Sequence, residues 1–265
     1  MTRRPFAAAA GVASALASLL APACSFDQGF ASDGEIDFSV RGAWFPTDLS
    51  GDVKITAGGV QGTGSRIEMN DDLDIDGEDH GLPAFDLYAG GLRAGVEWLP
   101  FSFEGRTTLD QSLVFHGTGF PAGNRVASEL DLETWKFRVD GALIDDPGFE
   151  LRAGVVAYWW NFELDLADID AGVRDSREFS RLLPGVTLSG SFSIVRKCSV
   201  GFDAAFATID EGRQLWDLAA LARYDGGGGT WFDAGYRFLR YELNEDTNVG
   251  TLDLQGPFLG FTCRF

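Results

Sequence analysis

The sequence predicts an all-β protein, namely an antiparallel transmembrane β-barrel of about ten strands. The first observation is composition, because 34 Gly and 22 Phe favour sheets joined by tight turns. The second is an apolar residue at every second position, the period of a β-strand. A soluble β-sandwich alternates in the same way. The third observation therefore decides: the opposite face carries charges of both signs in mid-strand, and short connections alternate with long ones.

Residues 149–159 illustrate the alternation. Every second residue from Phe149 to Trp159 is apolar, whereas Glu150 and Arg152 begin the opposite face. The strands are predicted near 35–45, 83–90, 92–105, 129–143, 149–163, 180–195, 198–208, 215–224, 230–242 and 251–265. Eight or twelve strands remain alternatives. Twelve would require Val53–Thr56 and Arg66–Met69 to cross the membrane rather than form a hairpin above it.

The connections separate the two ends of the predicted barrel. The short ones include Gly90-Gly91 and Arg196-Lys197. The longer ones cover about 46–82, 107–128, 165–178 and 243–250, with a brief one at 209–214. Because outer-membrane barrels have short periplasmic turns and long external loops, we expect the longer connections to face outside. These external loops are expected to be acidic.

The N-terminus reads as a targeting segment. Arg3 and Arg4 precede a run of small apolar residues that ends at Ala21-Pro22-Ala23, a signal-peptidase pattern. The domains are thus predicted as a signal peptide at 1–23, an N-terminal segment at 24–34 and a barrel at 35–265. Cys24 directly follows the expected cut, so lipid attachment there is an alternative to simple cleavage.

The charge limits the choice of partners. The formal net charge is −19, which argues against nucleic acid because phosphate binding requires clustered Lys and Arg. We therefore expect the lipid bilayer to be the main partner. The oligomeric state is left open.

Charged residues on the face opposite the apolar one are predicted to line the lumen. They are Arg41, Asp86, Arg93, Glu97, Lys136, Arg138, Asp140, Glu150, Arg152, Asp203, Arg223, Asp233 and Arg237. Rings of charge can select ions in a channel. Ten strands enclose little space, however, so paired side chains are expected to fill most of the lumen.

A short repeat supports this assignment. An aromatic residue followed by an acid recurs in FDLYAG at 85, FELRAG at 149, FDAAF at 202, WDLAAL at 216 and WFDAGY at 231. We interpret it as one strand end used repeatedly, with the aromatic residue at the membrane interface and the acid turned inward.

The last strand carries the family resemblance. Leu259, Phe261, Cys263 and Phe265 alternate up to a terminal aromatic residue. With the signal peptide and the alternating strands, this ending resembles bacterial outer-membrane β-barrel proteins. The resemblance implies an outer-membrane location in a Gram-negative-type bacterium. It also implies that the barrel assembly machinery recognises these four residues.

The strand order argues against a disulfide between Cys198 and Cys263, which fall on the seventh and tenth strands. Strands lie about 4.8 Å apart, so three steps exceed the roughly 7 Å limit between bonded cysteine Cα atoms. Both cysteines are expected to face lipid.

The densest acidic stretch runs from Asn70 to Gly81. Asp72, Asp74 and Asp76 match the opening of a calcium loop, but Pro83 stands where the loop requires Glu. The alternative is a solvated acidic loop, and no other cofactor is predicted.

Three functions remain in order of preference. A structural or interaction barrel comes first, a narrow porin-like channel for small solutes second and a surface hydrolase third. His80 and His116 fall in predicted external loops. No nucleophile in a matching context accompanies them, so the protein is not expected to be an enzyme.

Overall fold

A computed structural model describes residues 36–57, 64–210, 212–245 and 248–265. The elements are β1 (Ile36–Lys54), β2 (Arg66–Glu68), α1 (Met69–Leu73), β3 (Glu78–Ala89), β4 (Leu92–Thr108), β5 (Leu113–Phe115), β6 (Thr118–Phe120), β7 (Arg125–Asp146), β8 (Phe149–Asp168), β9 (Val173–Val195), β10 (Cys198–Asp210), β11 (Arg213–Gly227), β12 (Thr230–Glu245) and β13 (Asn248–Arg264). Among these residues no helix is long and apolar enough to cross a membrane.

Ten long antiparallel strands close into a barrel. They follow the order β1, β3, β4 and then β7 to β13, and β13 pairs with β1. The closing ladder runs from the pair Ser39–Arg264 to the pair Lys54–Val249. The last residue takes part, because Phe38 and Phe265 exchange two backbone hydrogen bonds of 3.2 and 2.8 Å. Their rings stack with centroids 5.0 Å apart.

The predicted strand number is correct, and the alternatives of eight and twelve are wrong. Residues 53–54 end β1, and β2 pairs with β1 as a short hairpin outside the ten-stranded ring. Both described ends of the chain lie at one end of the barrel, with four two-residue turns; we call this the turn end. Glycine has positive φ at both positions of the turns 90–91 and 228–229, which the hand of a tight hairpin requires.

Several predicted loops are in fact strand. Strands β8 and β9 continue to Asp168 and from Val173, so most of the expected loop 165–178 is a hairpin. The first connection likewise starts after Lys54 rather than at residue 46, and β13 begins within the expected loop 243–250. The strands therefore extend well beyond the part that faces lipid.

The cause of this error is a reversal of polarity along each long strand, shown by β7. Its inward side chains are, in order, Val126, Ser128, Leu130, Leu132, Thr134, Lys136, Arg138 and Asp140. Its outward side chains are, in order, Glu129, Asp131, Glu133, Trp135, Phe137 and Val139. Apolar residues thus switch from the inner to the outer face at Trp135. The period of two persists, but its phase reverses.

The reversal occurs at a girdle of outward tryptophans, Trp98, Trp135, Trp159 and Trp216. Trp98 pairs with Trp135, and Trp135 pairs with Trp159 across β4, β7 and β8. Exposed apolar side chains below the girdle include Val139, Val155 and Val186. We call the part above it the rim. An apolar belt bounded by aromatic residues is typical of membrane barrels.

The interior of the rim is an apolar core. Parts of the connections 55–77 and 109–124 fold into it, and Met69, Leu73 and Ile75 are fully buried there. Gly105 makes this possible, because a Cβ at that position would collide with the carbonyl oxygen of Leu73. We call these inserted residues the plug.

Above the girdle the wall between β3 and β4 is sealed differently. Ladder pairing between these strands covers Ala84–Ala89 and stops there within the described residues. Pro83 and Pro100 flank the point where it stops, and neither can donate a backbone hydrogen bond. There β2 pairs with β1 in place of β3, and Ile75 bridges to Gly105 of β4, so the plug segment also forms part of the wall.

Candidate functional site

A layer of ion pairs lies in the lumen below the girdle. All thirteen predicted lumen residues point inward and take part in it. The strand geometry dictates this, because alternate residues of a barrel strand must face the interior. We therefore take this layer as the candidate functional site.

Asp217 is the centre of the layer and is absent from the predicted set. Its carboxylate accepts hydrogen bonds from Lys136 at 2.7 Å, from Arg237 at 2.8 and 2.9 Å, and from the Tyr158 hydroxyl at 2.8 Å. The aromatic–acid repeat contains it, directly after Trp216. Applying that repeat to every strand would have identified Asp217.

Two arginines connect this centre to neighbouring strands. Arg237 also donates to both oxygens of Glu97, at 2.9 and 3.1 Å. Arg138 donates to Asp203 at 2.7 Å and to Asp86 at 3.1 Å. Such bidentate pairs are the strong form of charged hydrogen bond. The layer therefore crosslinks β3, β4, β7, β10, β11 and β12 across the lumen.

The ion pairs continue toward the turn end. Arg93 and Arg152 share Asp140, at 2.7 and 2.6 Å. Arg223 pairs with Asp233 at 2.7 Å. A cavity of 120 Å³ lies among these residues.

The aromatic–acid repeat has the predicted orientation. The five aromatic residues are exposed on the outer face by 39 to 50 %. The five acids after them face the lumen and pair with cations. One detail is wrong: Trp216 packs on Phe206 in the girdle, 4.4 Å between centroids, rather than at the turn end. The repeat therefore marks both membrane boundaries.

The acidic stretch is folded onto the rim. Asp72 accepts a hydrogen bond from the Glu68 backbone at 2.8 Å, and Asp74 ends α1 in a left-handed conformation. No three potential metal ligands are grouped anywhere in the described part of the chain. Calcium at Asp72, Asp74 and Asp76 stays a prediction.

The two histidines lie in different surroundings. His80 is in β3, not in a loop; it is buried and stacks edge-on against Phe101 and Phe103, each 5.1 Å away. Its Nε2 atom is buried without a hydrogen-bond partner among the described residues. Its imidazole donates to the Pro100 carbonyl across the unpaired part of the β3–β4 wall, and burial lowers its pKa to about 4.

His116 is in the turn between β5 and β6, as the prediction of an external loop requires. Its Nδ1 lies 3.4 Å from Asp175 Oδ1, and the Thr118 hydroxyl donates to the other oxygen of the same carboxylate. The two histidines therefore do not share a site.

The C-terminal residues occupy β13 and its end. Leu259 is exposed by 56 %, Phe261 packs on Phe232 at 5.4 Å and Cys263 is fully buried. Its pairing with Val40 places Cys263 on the outer face, as expected, but the side chain is buried there rather than exposed to lipid. Cys198 is a free thiol, so these two cysteines are not joined. The assembly role of the four residues stays a prediction, as do the signal peptide and lipid on Cys24, which lie outside the described residues.

Comparison with solved structures gives the fold. The outer membrane protease OmpT from Escherichia coli matches with a TM-score of 0.55 at 9% identity, over 90% of this chain and 99% of that chain. OprG from Pseudomonas aeruginosa has a TM-score of 0.40 at 11% identity, over 88% and 98%. Ail of Yersinia pestis has 0.38 at 9%, over 88% and 100%. No family model and no curated protein matches the sequence. The chain therefore has an outer-membrane-type β-barrel fold, as predicted.

Because Asp217 lies at the centre of the layer, its substitution is expected to lower the free energy of unfolding strongly. In Asp217→Asn, two buried cations each lose a charged partner, and we expect a loss of about 3 kcal/mol in the free energy of unfolding. Asp253→Asn is the matched control, because Asp253 pairs with Arg240 at the partly exposed rim and is expected to cost under about 1 kcal/mol. Urea unfolding in lipid vesicles measures both; equal losses would show that Asp217 is not central.

The buried His80 predicts a loss of stability in acid. Its pKa is lowered in the folded protein, so the unfolded chain binds more protons between about pH 6.5 and 4. The contribution is complete above pH 6.5 and decreases as the pH falls toward 4, by at most about 3 kcal/mol. His80→Phe should flatten the pH dependence of the urea midpoint relative to wild type. His116→Gln is the control and should keep the wild-type slope; parallel profiles for all three proteins would refute the assignment.

Proposed function

We propose that the protein is an outer-membrane barrel of structural or interaction type, whose lumen is closed to solutes and whose rim meets its partners. One observation carries the proposal: the ion-pair layer and the apolar plug lie one above the other in the same lumen. Lys136, Arg138 and Asp217 are each exposed by 6 % or less. A conducting pore would need hydrated space at this level.

The outer wall of the rim supports an interaction role. Acidic side chains face each other across neighbouring strands, as in the pairs Glu129–Asp165 and Asp131–Glu163. Like charges placed directly opposite destabilise a sheet. This arrangement does not assist folding. We therefore infer that the acidic side chains are retained for contact with the surroundings of the rim. The acids expected in loops thus lie mainly on strands.

Conductance separates this function from the second candidate, a narrow channel. Purified folded protein inserted into planar bilayers should give no stable unitary current, because both levels of the lumen are occupied. An open porin in the same bilayer provides the positive control. Heat-modifiable gel mobility of the same sample shows that the barrel is closed. A reproducible unitary current from that sample would reject the closed lumen and favour the channel.

His116 and Asp175 favour the third candidate, a surface hydrolase, since a histidine oriented by a carboxylate is the core of many general bases. A protease is among the structures with a similar fold. The Thr118 hydroxyl, however, donates to Asp175 rather than to His116, so no nucleophile is aligned with the imidazole.

Peptide and ester hydrolysis by whole protein therefore should not change in His116→Ala. Asp253→Asn serves as a control for general damage to the rim. A rate that falls at least tenfold in His116→Ala, with the barrel still folded, would establish catalysis there.

A further inference from the structure

The 120 Å³ cavity extends from the ion-pair layer toward the turn end, and Lys136, Asp217 and Arg237 of the layer form part of its lining. Two residues that line it reach solvent near the turn end: the Glu150 side chain is 41 % exposed and that of Arg223 is 35 % exposed. Its volume is several times that of a single water molecule, which occupies about 30 Å³ in the liquid. The cavity therefore has room for a small solute that arrives from the turn end.

Small residues and guanidinium groups alternate around the cavity. Ser189, Ser199 and Ala219 from β9, β10 and β11 are among its small lining residues. Arg152 is the cross-strand neighbour of Ser189, and Arg223 is that of Ser199. The short side chains leave the space open beside the arginines, so hydroxyl and guanidinium donors line the same polar cavity.

Three arginines at the cavity have donors to spare. Among the described residues, the hydrogen bond of Arg41 is a long one of 3.4 Å, from its Nη2 to Glu97 Oε1. Arg93 and Arg223 bind their aspartates through Nε and Nη2, so in the same part of the structure each Nη1 group has no protein acceptor. A guanidinium has five N–H donors, and its fork suits planar or tetrahedral oxyanions.

The charges around the cavity are balanced. Six cations and five carboxylates line it, and Asp140, beside the lining, pairs with both Arg93 and Arg152. The six cations are Arg41, Arg93, Lys136, Arg152, Arg223 and Arg237. Each lining carboxylate already pairs with at least one cation. The cavity therefore offers an anion its unused guanidinium donors rather than a surplus of charge.

We propose that this cavity binds a small oxyanion of the phosphate type, held by Arg41, Arg93 and Arg223 with serine hydroxyls as additional donors. Binding is independent of a conducting lumen, because the ligand enters and leaves at the turn end. The same chemistry fits free phosphate and the phosphate of a lipid headgroup.

Titration of folded protein in phosphate-free dodecyl maltoside with inorganic phosphate, followed by calorimetry, tests the proposal. We expect saturable binding that weakens at least tenfold in Arg41→Gln. This variant should fold, since Glu97 keeps its bidentate pair with Arg237. Arg264→Gln is the matched control: Arg264 pairs with Asp37 at the same end but does not line the cavity. It should bind like wild type.

A second variant fills the space without removing a charge. Ser199→Leu should abolish phosphate binding while gel mobility shows a closed barrel. Dihexanoyl phosphatidylglycerol is titrated in parallel; tighter binding of this lipid than of phosphate identifies a headgroup as ligand, and the reverse identifies a free anion. The proposal is overturned if neither probe saturates wild type, or if Arg41→Gln and Ser199→Leu both bind as wild type does.

Discussion

The structure depends on one constraint: inside a membrane every backbone N–H and C=O must be paired within the protein. A sheet meets it only when its first and last strands join. Here β1 and β13 join over most of their length, and the final residue contributes two hydrogen bonds and a stacked ring. The terminal aromatic residue is thus part of the closure. Once the ring is closed, alternate side chains must face lipid or lumen, and the remaining features follow from that division.

The change of surroundings at the girdle then determines which residues face each way. Below it the outer face contacts hydrocarbon and must be apolar, so polar side chains can go only inward, where they pair. Above it the outer face contacts water, and the apolar side chains move inward to form an ordinary core. Buried ion pairs add little net stability relative to apolar packing. Their presence below the girdle therefore reflects what can occupy a lumen between lipid-facing strands.

This reversal explains how far the sequence could be interpreted. The alternation of apolar residues at every second position located all ten strands, because strands such as β8 keep an apolar outer face where they cross the lipid. The ends of β8 and β9 were missed because their apolar residues continue on the inner face, which resembles a loop when lipid contact is the criterion. The position of His80 in β3 was missed for the same reason. Asp217 was recoverable from its repeat, whereas the packing of Leu73 against Gly105 joins residues distant in sequence and required coordinates.

The plug and the ion-pair layer, which close the lumen in the proposed function, are stabilised by different interactions. The plug is held by apolar burial and by the close approach at Gly105, and it belongs to the connections between strands. The ion-pair layer belongs to the strands themselves and crosslinks six of them. On the proposed function, displacing the plug exposes the layer without opening it, since the side chains of the layer are anchored to the wall. The two proposals then assign binding to two separate surfaces, the rim on one side of the layer and the cavity on the other, with no passage required between them.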